Sequence, residues 1–323
     1  MDISYIINQL GEERADYYNA VAPPLIQTSN FAFNTVEELR KAVSNEKECS
    51  IYTRGNNPIT DILSKKIAAL EKAEDALIFT SGMAAISTAV LANVKAGQHI
   101  ICVKNPYSWT YKLLNNLLPK YNIETSMIDG TRIENFEDAI RDNTSLIYLE
   151  SPTSLFFELQ DIAAVAKLAK KNELITIIDN SYAGPLYQAP IEMGIDIVVH
   201  TASKYFGGHS DLIAGVLCSS KEITDRIFYD EFMIYGGIIS PFNAWLMLRS
   251  LRTYPLRMER IVDTTQKVVE YLENHSQIER LIYPYSKSHP QYELAKKQMK
   301  NAPGLFSVLL KTKSKDDIDK LCN

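Results

Sequence analysis

From Ala76 to Cys218 the chain alternates short β-branched or aliphatic runs with amphipathic stretches, and no other feature restricts its possible folds so strongly. The apolar runs read as strands at residues 76–79, 99–103, 123–128, 145–149, 174–178, 195–199 and 212–218. Helices are expected between them at 110–118, 133–141 and 162–171. Strands alternating with helices imply an α/β fold with a mainly parallel sheet covered on both faces. Such sheets carry their functional groups beyond the carboxyl ends of the strands.

On either side of this block the pattern changes. Residues 1–50 read as an arm, interrupted by Pro23-Pro24, with Thr35-Val-Glu-Glu38 as a capping box opening a short helix. Residues 51–250 form the main domain. Residues 251–323 read as a smaller α/β domain: a long helix from Leu256 to about His275, strands near 278–283 and 305–311, a helix at 291–299, and the start of another at 314–321. A length of 323 residues suits two cores better than one.

Charge and composition exclude several classes. A formal net charge of −5, without a dense Lys/Arg cluster, offers no face for nucleic acid. No apolar run approaches the ~20 residues of a membrane helix, and the first residues lack a signal peptide's basic and apolar regions. Cys49, Cys102, Cys218 and Cys322 are scattered without metal-ligand spacing, which fits a reducing compartment, most simply the cytoplasm. No Gly-x-Gly-x-x-Gly follows a strand, which argues against a nicotinamide dinucleotide. His209-Ser210-Asp211 are contiguous and so cannot form a hydrolase triad. Small molecules and other subunits remain as partners.

The chemistry gathers around Lys204 in His200-Thr-Ala-Ser-Lys204-Tyr-Phe-Gly-Gly-His-Ser-Asp211. A lysine just past a buried strand is expected to be poorly solvated, which favours the neutral amine that a Schiff-base lysine uses. Thr201 and Ser203 add hydroxyls on either side, and the whole suggests an amine near a phosphate. By itself, a lysine beside Gly207-Gly208 is more readily a surface loop residue. Asp179 closes the strand Leu174-Ile-Thr-Ile-Ile178, where a carboxylate wants a cation or serves to cap the next turn. Ser81-Gly82-Met83 stands at a strand-to-helix junction, either an anion site or an ordinary cap. Tyr52 and Arg54, two apart in extended chain, point the same way and could meet one anion.

Together these stretches resemble the pyridoxal-phosphate enzymes of cysteine and methionine metabolism, the cystathionine γ-synthase, γ-lyase and β-lyase group. The lysine motif, Ser81-Gly-Met-Ala-Ala85, Asp179-Asn-Ser-Tyr182, Tyr52-Thr-Arg-Gly-Asn-Asn-Pro58 and the arm at residues 20–31 carry the likeness. The resemblance implies a fold type I enzyme in which Lys204 holds the cofactor and moves protons. It implies that Asp179 pairs with the ring nitrogen, that Tyr107 stacks on the ring and assists proton transfer, and that Ser81, Gly82, Met83, Thr201 and Ser203 hold the phosphate. Tyr52 and Arg54 would reach the phosphate of a neighbouring subunit, so a homo-oligomer with shared sites is expected.

Two departures touch substrate handling. Where the family has Glu-Ser-Pro-x-Asn-Pro, this chain has Glu150-Ser-Pro-Thr-Ser154-Leu155, so a substrate-binding asparagine becomes Ser154. Where the family has small residues after the tyrosine, this chain has Tyr107-Ser-Trp109. The resemblance also implies a further C-terminal part with a Ser-Leu-Gly motif and a carboxylate-binding arginine. The leading expectation is trans-sulfuration: elimination or replacement at the β or γ carbon of a sulfur-containing or O-acyl amino acid, with an inclination to cystathionine chemistry from Gly208-His-Ser-Asp211. The alternative is a homologue or fragment that binds the cofactor without turnover. A transaminase of the same fold is a more distant third.

Overall fold

The apolar runs form the centre of the molecule. The computed structural model describes residues 1–312 and 314–323, and seven strands make one sheet. They are β1 (Asp75–Phe79), β2 (His99–Val103), β3 (Glu124–Ile128), β4 (Thr144–Glu150), β5 (Ile175–Asp179), β6 (Ile197–Thr201) and β7 (Gly215–Ser219), in the order β1-β7-β6-β5-β4-β2-β3. β7 runs antiparallel to both β1 and β6, and the other pairs are parallel. The expectation of a mainly parallel sheet holds.

Two-residue periodicity explains why the strands carry so few polar residues. Ile101, Val103, Ile147, Leu149, Ile178, Val198 and Val216 pack into one apolar cluster, whereas Ile100, Cys102, Leu146, Tyr148, Ile177, Val199 and Leu217 pack into the other. Each face is covered, so each strand must be apolar on both.

Several boundaries move. The strand expected at 195–199 begins two residues later, because the Asp196 side chain accepts hydrogen bonds from the backbone N–H (2.8 Å) and hydroxyl (2.6 Å) of Thr176. The strand expected at 212–218 is Gly215–Ser219. The helix expected at 110–118 is a composite: an α-turn at Ser108–Lys112, a π-turn at Leu113–Leu117 and a 3₁₀ turn at Leu118–Tyr121 containing Pro119. Proline lacks the N–H that a continuous helix would use.

C-terminal to the sheet, the helix Tyr254–Glu273 leads into β8 (Ile278–Ile282), which pairs antiparallel with β9 (Ser307–Leu310). At the other end, Ile6 and Ile7 are buried against the helix Pro58–Glu71. Glu12 lies beside two cations there: Lys66 at 3.1 Å and Arg252 at 3.2 Å. The expected capping box is half formed: Thr35 accepts from the Glu38 N–H ahead of the helix Val36–Val43, but the Glu38 carboxylate accepts from the Asn34 N–H at 2.9 Å and not from that of Thr35. Among the described residues, no helix is long and apolar enough to cross a membrane.

Candidate active site

β6 delivers the lysine. After Thr201 the chain folds back, the Gly207 N–H donating to the Ala202 carbonyl at 2.8 Å and the Gly208 N–H to the Lys204 carbonyl at 2.7 Å. Gly208 sits at φ +70°, where a side chain would be strained. Lys204 itself is exposed in the single chain, which corrects the expectation of a poorly solvated amine. It stands three residues beyond the strand, in a turn, and not in the buried strand end.

Two carboxylates lie at the strand ends. Glu150 and Asp179 are register partners on β4 and β5, and both are buried. Burial and the neighbouring Asp179 charge push the Glu150 carboxyl up to about 8, against hydrogen bonds from Ser154 and Tyr107. Burial also raises Asp179, opposed by Ser181 and by the charges of His200 and Lys204. The Ser181 N–H donates to Asp179 at 2.9 Å, and Asp179 makes no ion pair among the described residues.

Sequence reasoning gave Glu150 no role. The signal was present, since Glu150 ends an apolar strand just as Asp179 does. Its carboxylate organises two residues that were singled out: it accepts from the Tyr107 N–H at 2.7 Å and from the Ser154 hydroxyl at 2.5 Å. The hydroxyl that replaces the family's asparagine is thus turned toward Glu150, while the Tyr107 ring remains exposed.

A raised carboxyl stabilises the fold in its protonated form. The contribution of Glu150 is full below about 4.5 and is lost as the pH rises through about 8. Without cofactor, the chain is expected to lose stability between about pH 5 and pH 8.5, and Glu150→Gln to lose less. At roughly 2–4 °C per kcal/mol, the Tm difference between the two proteins should widen measurably in favour of the variant. A difference that stays constant with pH would count against this account.

At the third corner, Ser81 caps the helix Gly82–Leu91, accepting from the Ala84 N–H at 3.1 Å. The Gly82 and Met83 amides open that helix with no intrahelical partner. Backbones meet closely here: a Cβ on Gly82 would lie 2.7 Å from the Thr201 side chain, and one on Gly215 would lie 2.0 Å from the Ser81 carbonyl. Thr201 donates its N–H to the Ser181 hydroxyl at 2.7 Å. The Ser203 hydroxyl accepts from the Ala214 N–H at 3.0 Å.

Tyr52 and Arg54 lie elsewhere. The Arg54 guanidinium stands 5.4 Å over the Tyr52 ring, and both side chains are exposed. A cavity of about 70 Å³ adjoins Arg54, but its walls include Lys47, Asp75, Phe228 and Ile238 and none of the Lys204 cluster.

The residues fit pyridoxal phosphate. A helix start with free amides suits the phosphate, a buried carboxylate without a cation suits a protonated ring nitrogen, and an accessible lysine suits the aldehyde.

The comparisons agree. The family described as Cys/Met metabolism PLP-dependent enzyme matches residues 5–323. The L-methionine gamma-lyase of Fusobacterium nucleatum subsp. nucleatum is 38% identical over 296 residues, covering 91% of this chain and 75% of the relative. A probable cystathionine gamma-synthase of Herpetosiphon aurantiacus is 35% identical, covering 93% and 92%. The crystal structure of cystathionine gamma synthase from Xanthomonas oryzae pv. oryzae, in complex with aminoacrylate and cysteine, superposes with a TM-score of 0.91 at 28% identity, covering 99% of this chain and 80% of that one.

Proposed function

The chain belongs to the Cys/Met metabolism PLP-dependent enzymes, and on that footing we propose that it catalyses elimination or replacement at the β or γ carbon of a sulfur-containing or O-acyl amino acid. The supporting observation is the meeting of the Lys204 turn, the buried Asp179 and the free amides of Gly82 and Met83 around the ends of β5, β6 and β1. When bound, pyridoxal phosphate supplies an electron sink for negative charge at the substrate α-carbon.

The protein's own groups do the rest. Lys204 attaches the cofactor and, once its amine is free, takes and returns the α-proton. Asp179 accepts the ring N–H and keeps that nitrogen protonated. Ser81, Gly82, Met83, Thr201 and Ser203 hold the phosphate, joined by Tyr52 and Arg54 from a neighbouring subunit of a homo-oligomer. Tyr107, fixed through its backbone to Glu150, covers the ring and passes on a second proton. Ser154, its hydroxyl donating to Glu150, offers the substrate only an acceptor. The division into an arm, a cofactor-binding domain and a smaller C-terminal domain belongs to the same proposal. So does a cytoplasmic location, where four unpaired cysteines persist.

The test is the visible spectrum of the purified chain before and after borohydride, with peptide mapping of the reduced adduct. A reducible band mapping to Lys204 is expected; an adduct at another lysine, or none with added cofactor, would overturn the assignment. Cystathionine, methionine, and O-acyl-homoserine with cysteine then divide the reaction types. A 2-oxo acid formed from one amino acid marks elimination, and a new thioether marks replacement.

A further inference from the structure

The turn that carries Lys204 is gripped from behind by a cation with no anionic partner. Arg257, on the first turn of the helix Tyr254–Glu273, is partly buried, and no carboxylate pairs with it among the described residues. Its Nη1 donates to the Tyr205 carbonyl at 2.7 Å, and its Nη2 lies 3.5 Å from the Phe206 carbonyl. These are the two residues directly after Lys204. The same Nη2 donates to the Ser250 carbonyl at 3.2 Å and the Ser250 hydroxyl at 3.1 Å, and Nε donates to the Thr253 hydroxyl at 3.2 Å. The Ser250 hydroxyl in turn donates to the Gly207 carbonyl.

Three successive carbonyls, of residues 205, 206 and 207, are therefore turned toward one guanidinium and its serine. A partly buried cation answered by carbonyls, hydroxyls and the Tyr254 ring, 5.9 Å away, has given up part of its hydration for these contacts. A planar fork with five donors can satisfy them all at once, and an ammonium cannot. Space is equally tight: a Cβ on Gly208 would lie 2.0 Å from Arg257 Nη1. Tyr205 is tied to the C-terminal part a second time, its hydroxyl accepting from the Gly304 N–H at 3.1 Å.

We propose that Arg257 is a positioning residue for Lys204, holding the 204–208 turn so that the amine meets the cofactor's aldehyde carbon. The inference rests on the reading of Lys204 as the cofactor lysine. In attachment, the C–N bond forms at the aldehyde carbon and one water leaves, so no oxidant or reductant takes part. Arg257 bears on the carbonyls after Lys204, whereas the phosphate amides of Gly82 and Met83 lie on another element and the Thr201 and Ser203 hydroxyls precede the lysine. The two can be measured separately.

Apoprotein is mixed with pyridoxal phosphate, and attachment is followed by absorbance and by borohydride trapping with peptide mapping. In parallel, the affinity for pyridoxine phosphate is measured; with an alcohol in place of the aldehyde, it reports the phosphate and ring contacts alone. Arg257→Ala is expected to slow attachment roughly 10- to 100-fold, as misplacement by about an ångström does, while pyridoxine phosphate affinity stays within about threefold. Arg257→Lys should not restore the rate. Gly208→Ala should show the same split by displacing Arg257, and the double variant should be no slower than the slower single variant, because one contact is lost in each.

Attachment at the wild-type rate in Arg257→Ala would overturn the proposal. So would a parallel loss of pyridoxine phosphate affinity, which would make Arg257 a general clamp on the fold. A wild-type adduct that maps away from Lys204 would instead remove the underlying reading, and the two failures are told apart by that map.

Discussion

Replacing Lys204 with Ala is expected to leave no borohydride-reducible adduct and to lower turnover by about 10³-fold or more. Loss of a single positioned acid–base group typically costs 10²–10⁴-fold, and this residue also supplies the covalent attachment. The fold should tolerate the change. Lys204 is exposed, and its turn is closed by backbone bonds, such as the Gly208 N–H to the residue 204 carbonyl, that alanine retains. Cofactor phosphate binding at Gly82 and Met83 should therefore outlast the loss of the adduct. Turnover near the wild-type rate in this variant would show that another group does the proton transfer. If the wild-type chain forms the adduct on Lys204 yet turns over none of the candidate substrates, the reading of a cofactor-binding protein without activity takes its place.

How much of this could be read from residue order depends on the range of the interaction. The apolar strands are local signals, and the α/β alternation survives intact because burial on both faces of a parallel sheet demands it. Ser81 and Asp179 were also legible, because each terminates a recognisable strand or opens a helix. The reversed direction of β7 was not, since a buried strand has the same composition whichever way it runs. Glu150 was visible at its strand end, and its contact with Ser154 is local, but its grip on Tyr107 depends on β2 and β4 lying side by side. Arg257 lies about fifty positions from the turn it holds, and nothing in a surface-like Leu256-Arg-Met-Glu sequence announces that contact. The exposure of Lys204 was not legible, because a residue just past a buried strand need not share its burial: β6 ends at Thr201 and Lys204 lies in the turn that follows.

The largest expected effect on stability comes from the first residues of the chain. Lys66 and Glu12 side chains are 0% and 1% exposed, with Nζ 3.1 Å from the carboxylate and 2.9 Å from the Ile6 carbonyl. Two ions taken out of water are held mainly by each other, and removing one strands the other. Glu12→Gln should cost about 3–5 kcal/mol, a large part of the 5–15 kcal/mol typical of a folded domain. The loss should show as a lower urea midpoint. Lys66→Met should cost less, because Glu12 keeps Arg252 at 3.2 Å. The pH dependence has a definite sign. Burial already lowers the Lys66 pKa, and Glu12 opposes that shift; without Glu12 the lysine gives up its proton at a lower pH. Neutral Lys66 has no charge to leave stranded, so the deficit of Glu12→Gln relative to wild type should shrink as the pH rises from 7 toward 10. A deficit that instead grows with pH would mean that the cost of the substitution lies in packing, and that the buried pair does not hold the first twelve residues to the core.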